Sequence, residues 1–205
     1  KRQGATTIGL ETMPRTVDNI GFYTRLGFRP GHLTVTLSRE VVGGSVPAVL
    51  LLSTMGEERS VWIEKCRTLA ASIRSGSDYS REIALTAQMG LGDTSLFVLN
   101  GVLRGYAVWH GAALAADREP EELRVLKLVA DGSDSALSLL TALGGVAAEQ
   151  QLGRLTLRAE SARTEAFGLL VDRGFEVLWT DLRMTLEGYR EPVDVGGLVY
   201  SNWEI

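Results

Sequence analysis

The chain has 205 residues, of which 45% are hydrophobic and 22% charged, and its net charge is −4. That composition is ordinary for a globular protein long enough to bury a core and excludes a disordered one, while the acidic balance gives no electrostatic reason to expect nucleic acid or an anionic membrane as partner. The single cysteine, Cys66, excludes an intramolecular disulfide framework and fits a reducing, cytoplasmic compartment.

No apolar run reaches membrane-spanning length, since Val46–Leu52 is short and holds a proline, and no long apolar region follows Lys1-Arg2. Thr6–Glu11 reads as a short strand closed by Met13-Pro14. A helix follows from a cap at Thr16 or Asp18 to a left-handed stop at Gly27. Leu33, Val35 and Leu37 alternate with Thr34, Thr36 and Ser38, as in a strand with one wet face, and Val41–Ser45 reads as a connection. Ala48–Leu52 is expected as a buried strand. From Ser60 to Arg74, the positions of Trp62, Cys66, Leu69, Ala70 and Ile73 put one apolar face on a helix, where Cys66 reads as a small apolar residue. A second helix is expected over Tyr79–Met89. Asn100-Gly101 between two β-rich runs is a hairpin signal. Beyond it, Leu123–Val129 reads as a strand, Ser135–Gln151 as a helix interrupted at Gly144-Gly145, Leu155–Ala159 as a strand and Val177–Leu186 as another. The tail Val195–Trp203 is expected as an edge strand.

An internal echo organises these elements. Thr16–Phe28 returns in weaker form as Arg163–Phe175, an offset of 175 − 28 = 147 that lays Gly21 on Gly168, Gly27 on Gly174 and Leu10 on Leu157. The copies differ where chemistry would sit, with Asn19 on Ala166 and Tyr23 on Leu170.

The order of elements from Ala48 to Leu186, the Phe97–Val108 hairpin and the Ala166–Phe175 segment resemble the GNAT superfamily of N-acetyltransferases. Leu10-Glu11-Thr12, Asn19 and Phe22–Phe28 resemble that family's fifth strand and fourth helix still more closely. The resemblance implies an α/β fold with a GNAT-like mixed central sheet flanked by helices and preceded by a partial second unit. Residues 1–45 would then be the C-terminal β-α-β part of a first unit, 46–190 a complete and degenerate unit, and 191–205 a tail. It also implies an acetyl-CoA cosubstrate without a metal, transfer to an amine of a small molecule or protein, and a homodimer or a missing N-terminal segment that completes the first unit.

In such a family Tyr23 matches the residue that gives a proton to the departing thiolate, and Asn19, one turn earlier, matches a CoA contact. The second unit departs from the family pattern where a bare glycine backbone should approach the pyrophosphate: the sequence there is Ala130–Ser135. Gly132 and Ser133 offer the candidate cofactor-binding N–H groups, but Asp131 and Asp134 bring carboxylates and suit caps of the following helix. With Leu170 unable to donate a proton, the second unit is expected to be catalytically silent.

No general base stands out. Glu119, Glu121 and Glu122 read as a solvated run, and His32 and His110 lack a surrounding motif. Trp62, Trp109, Trp179 and Trp203 read as packing or half-exposed residues, and Arg154 and Arg158 as ordinary strand alternation. Two other readings stay open: a non-catalytic module that has lost CoA binding and serves packing or dimerisation, and a glyoxalase or bleomycin-resistance protein, where Phe-Tyr-x-x-Leu-Gly-Phe also occurs.

Overall fold

The computed structural model describes residues 7–42, 49–115, 117–189 and 191–201. Lys1, Arg2, Thr6, Ser45, Val46, Ala48 and Trp203, named above, lie outside them. In chain order the elements are β1 (Gly9–Thr12), α1 (Val17–Arg25), β2 (Phe28–Glu40), β3 (Leu50–Leu51), α2 (Arg59–Ile73), α3 (Ser80–Gln88), β4 (Gly92–Leu99), β5 (Val102–His110), β6 (Glu122–Ala130), α4 (Ser133–Glu149), β7 (Arg154–Glu160), α5 (Thr164–Val171), β8 (Glu176–Leu186) and β9 (Leu198–Ser201). The strands make one sheet in the order β1-β8-β2-β7-β6-β5-β4-β3, with β9 paired to β6 off that path.

The sheet separates two cores. On one face, α4 and α5 cover Val35, Leu37, Val125, Leu128, Leu155 and Leu157. On the other, the apolar face of α2, spaced four and three residues apart at Trp62, Cys66, Ala70 and Ile73, packs with Ile83 of α3 onto Tyr106, Val108 and Val129. Burial pushes the Cys66 thiol up to about 12, so its nucleophilic thiolate is scarce at neutral pH. A disulfide-exchange reagent is therefore expected to titrate no thiol in the native protein and one per chain in denaturant.

The β4–β5 hairpin turns at Asn100 and Gly101, both with positive φ (52° and 77°), the pair of left-handed residues that the twist of a two-residue hairpin demands. Three expectations need correction. The strand foreseen over Ala48–Leu52 is only Leu50–Leu51, because Leu52 already opens a 3-10 turn. Helix α4 runs unbroken through Gly144-Gly145. Its apolar face, with Leu139, Leu140, Leu143, Val146 and Ala147, is buried in the larger core, which offsets the roughly 1 kcal/mol that each glycine costs a helix. The tail does add a strand, but not at either end of the strand order: β9 pairs with β6 alone, along the end of β6 that β7 leaves.

The pairing of the first and last strands follows the 147-residue offset. Gly9 faces Thr185 and Thr156 faces Ser38; Leu10 faces Met184 and Leu157 faces Leu37; Glu11 faces Arg183 and Arg158 faces Thr36. Each pair is the other after the shift. In the β2–β8 ladder, Thr34 faces Asp181, which is its own counterpart, so the exchange axis passes there. The two β-α-β segments thus interlock, with β8 between β1 and β2, and β2 between β7 and β8.

Candidate active site

The polar centre of the molecule forms where the interlocked strands meet. Arg183 of β8, 1% exposed, donates from Nε to Glu191 (2.9 Å) and from Nη1 to Glu11 (3.2 Å), and lies 3.8 Å from Glu160. Glu160, at the end of β7, also meets Arg74 (3.2 Å), Arg163 (3.1 Å) and His32 (3.5 Å). Burial alone would raise its carboxyl, but the His32 contact and the charges of Arg74, Arg183 and Arg163 outweigh it and hold the group at about 2. Arg74 in turn grips Asp194 through two nitrogens (2.5 and 3.1 Å). His32, Glu160 and Glu191 bring ligand atoms close enough together for a metal ion. With three guanidinium groups already against Glu160, the local field opposes a divalent cation, and the cluster acts as an ion-pair network.

Beside this network the sheet parts. Strand β6 pairs in parallel with β7 only from Glu122 to Val125, opposite Arg154 to Leu157. From Lys127 to Ala130 it pairs instead with β9, antiparallel, with Lys127 opposite Ser201 and Ala130 opposite Leu198. All four residues of β9 are buried. Tyr200 donates its hydroxyl to the Ala166 carbonyl of α5 (2.7 Å). Gly197 allows the entry, since a Cβ there would stand 2.6 Å from the Ala130 carbonyl oxygen and 2.8 Å from Ile73 Cδ1. The sheet therefore opens between β6 and β7, and the opening is filled by the chain's own tail.

At the mouth of that gap, Gly132 precedes α4 in an extended conformation and Ser133 opens the helix. The Ser133 hydroxyl donates to Glu165 of α5 (2.8 Å). Asp131 pairs with Arg104 (2.7 Å) and accepts from Ser135 (2.6 Å). Neither Asp131 nor Asp134 caps α4 through its side chain, contrary to expectation; Asp134 lies in the first turn. Three carboxylates, Asp131, Asp134 and Glu165, thus surround the two helix N-termini.

The opening segment presents the opposite picture. Helix α1 buries none of its residues, whereas α5 buries Ala166 and Leu170. Asn19 is exposed and Tyr23 half-buried, its ring edge-on to Phe22 (5.3 Å) and Phe28 (6.1 Å). They sit four residues apart on one helix face, at the positions that Ala166 and Leu170 hold in α5.

The remaining candidates take structural places. Burial, then the charge of Arg124, lowers His110, which shares a 2.9 Å hydrogen bond with Thr86. Glu122 accepts from Thr156 (2.7 Å), Glu121 pairs with Arg154 (3.1 Å), and Arg158 lies 3.5 Å from Glu11. Trp62 and Trp109 are buried and Trp179 is 43% exposed. Sequence reasoning missed Lys127, buried on β6 over the Tyr79 ring and brought down to about 8 by burial, and it missed the whole arginine–carboxylate centre.

No family model matches the sequence, and no curated protein does. Among solved structures, the GCN5-related N-acetyltransferase from Sphaerobacter thermophilus superposes with a TM-score of 0.61 at 16% identity, covering 93% of this chain and 62% of that one. The chain has the GNAT fold. A GNAT-family acetyltransferase from Colwellia psychrerythraea (TM-score 0.58, 12% identity, 88% of this chain and 65% of that one) is similar, as is a tandem GNAT protein from the clavulanic acid biosynthesis pathway (0.53, 12%, 90% and 64%). The chain spans less than two thirds of the length of each of these structures. The GNAT fold replaces the glyoxalase alternative: α4, seventeen residues long, joins β6 to β7, and the superposition on the acetyltransferase spans 93% of this chain. Among the described residues no helix is long and apolar enough to cross a membrane.

Proposed function

We propose that the chain belongs to a tandem GNAT N-acyltransferase that uses acetyl-CoA and an amine acceptor, with the working site on the β1–α1–β2 segment and the β3–β9 unit as its scaffold. One contrast carries this reading. In the β3–β9 unit the gap between β6 and β7 is filled by β9, while the matching face of the opening segment, with Asn19 and Tyr23, is uncovered. A cofactor in the first gap would have to displace four buried residues and then meet Asp131, Asp134 and Glu165, a field that repels a pyrophosphate. Gly132 and Ser133 accordingly hold no cofactor in this reading.

At the working face, the acceptor nitrogen forms a bond to the thioester carbonyl carbon and the carbon–sulfur bond breaks. The amine proton leaves to solvent or a base, and the departing thiolate takes a proton from the Tyr23 phenol. Asn19, one turn before, orients the carrier arm. The phosphate cradle would come from chain packed along the edge of β1 that no described strand pairs.

Calorimetry of acetyl-CoA against the full-length protein tests the assignment: one binding event is expected, weakened in Asn19→Ala. Tyr23→Phe is expected to lower kcat about hundredfold with little change in KM for acetyl-CoA, as loss of one acid–base group does. A second binding event abolished by Ser133→Pro would refute the scaffold role. Absence of any binding would favour the other reading that the filled gap supports, a packing or dimerisation module without cofactor.

A further inference from the structure

The exchange symmetry of the two segments relates an open groove to a covered one. Residues 13–15 and 177–180 line an open groove of about 340 Å³ at the end of β1. Its floor is Trp179, whose indole N–H donates to Asp181 (3.2 Å), and the Arg15 guanidinium lies over the ring at 5.3 Å. Arg15 is exposed and makes no ion pair among the described residues.

Shifted by 147, the same groove falls on residues 160–162 and 30–33. There it is filled, by residues 191–194 of the chain itself. Glu191 takes the Arg183 guanidinium and lies 3.9 Å from His32, the counterpart of Trp179. Arg163 donates to the Pro192 carbonyl (3.1 Å) and lies 3.5 Å from Asp194, which Arg74 also holds. The tail therefore fills both halves of the scaffold unit: β9 lies in the gap, and residues 191–194, with two arginine-held carboxylates, lie in the groove beside it.

We infer that the open groove binds the acceptor, and that this acceptor is a small carboxylate on an apolar or aromatic body, its carboxylate on Arg15 and its body on Trp179, Met13 and Leu178. The arginine beside an aromatic floor matches that chemistry in charge and in shape, and at the counterpart of Trp179, His32, the chain's own Glu191 carboxylate lies 3.9 Å away, although other arginines hold it and the counterpart of Arg15 is Ala162. As an assignment of the acceptor this rests on the function proposed above; as a binding site it does not.

The test follows the indole N–H resonance of Trp179 in the ¹⁵N-labelled full-length protein, identified by its loss in Trp179→Phe. L-phenylalanine is expected to shift it with saturation. Phenethylamine, which lacks the carboxylate, and glycine, which lacks the body, are expected to bind at least tenfold more weakly. Arg15→Gln should remove the preference for phenylalanine over phenethylamine, and Arg15→Lys should restore part of it. Equal response to phenylalanine and phenethylamine, an unchanged preference in Arg15→Gln, or no movement of the resonance would overturn the site. If Trp179 responds as expected while acetyl-CoA fails to bind, the acyltransfer reading falls and the groove stands. If acetyl-CoA binds and Tyr23→Phe is impaired while Trp179 stays silent, the groove falls alone.

Discussion

Glu160→Gln is expected to destabilise the protein by about 3–5 kcal/mol, the range found when one member of a buried ion-pair cluster is removed and its partners keep their charge. Glu160 is 2% exposed and faces Arg74, Arg163, Arg183 and His32. A neutral amide leaves three guanidinium groups repelling one another, with Glu11, Glu191 and Asp194 the carboxylates still paired with them among the described residues. Replacement of a whole cluster by apolar residues need not cost so much, so the size of the effect comes from the orphaned cations and not from the net worth of the pairs. The pH dependence has a definite sign. Glu160 falls from 4.5 to about 2 on folding, so its contribution is complete above about 4.5 and is lost as the pH drops through about 2. Urea denaturation of wild type between pH 7 and pH 2 should therefore show a stability loss over that interval that is smaller in Glu160→Gln. Equal slopes for the two proteins would show that Glu160 is not a coupling centre.

Much of the fold was legible because it is carried by local signals. The α2 face, the Asn100-Gly101 turn and the strand alternation of Leu33, Val35 and Leu37 each depend on residues within one or two turns of chain, and each element is where its pattern places it. The echo of Thr16–Phe28 in Arg163–Phe175 was legible too, and it extends to the register of four strands. What the sequence hid is long-range. Nothing local in Leu198–Ser201 distinguishes an edge strand from one inserted beside Lys127–Ala130, since four residues carry little periodicity and the deciding partner lies about seventy residues away. The double glycine before it was a usable sign of close backbone approach. Arg183 and Glu160 read as polar positions of alternating strands; that both face inward follows from the insertion of β2 between β7 and β8, which no pattern within either strand encodes. The proposed site residues divide in the same way. Asn19 and Tyr23 were visible through the echo, whereas Arg15 and Trp179 come together only because β8 runs beside β1.

Tyr200→Ala is expected to cost about 3–5 kcal/mol, as truncation of a large buried aromatic does, and to act on one part of the sheet. Tyr200 is 2% exposed in the larger core, and its hydroxyl holds the Ala166 carbonyl. Among the described residues it makes the side-chain hydrogen bond between β9 and α5, so its loss loosens the strand that fills the gap while the parallel pairing of Glu122–Val125 with Arg154–Leu157 remains. Hydrogen exchange should then accelerate at the amides of Lys127–Ala130 that face β9 and change little at Glu122–Val125. Uniform acceleration across both would mean that β9 is part of the global folding unit and no separable filling. Tyr200→Phe isolates the hydroxyl and should cost about 1 kcal/mol. The loosened variant also separates the two causes of silence proposed for the β3–β9 unit. If β9 alone kept the cofactor out, Tyr200→Ala would gain an acetyl-CoA site. Because Asp131, Asp134 and Glu165 still gather at the N-termini of α4 and α5, no such gain is expected until those carboxylates are neutralised as well.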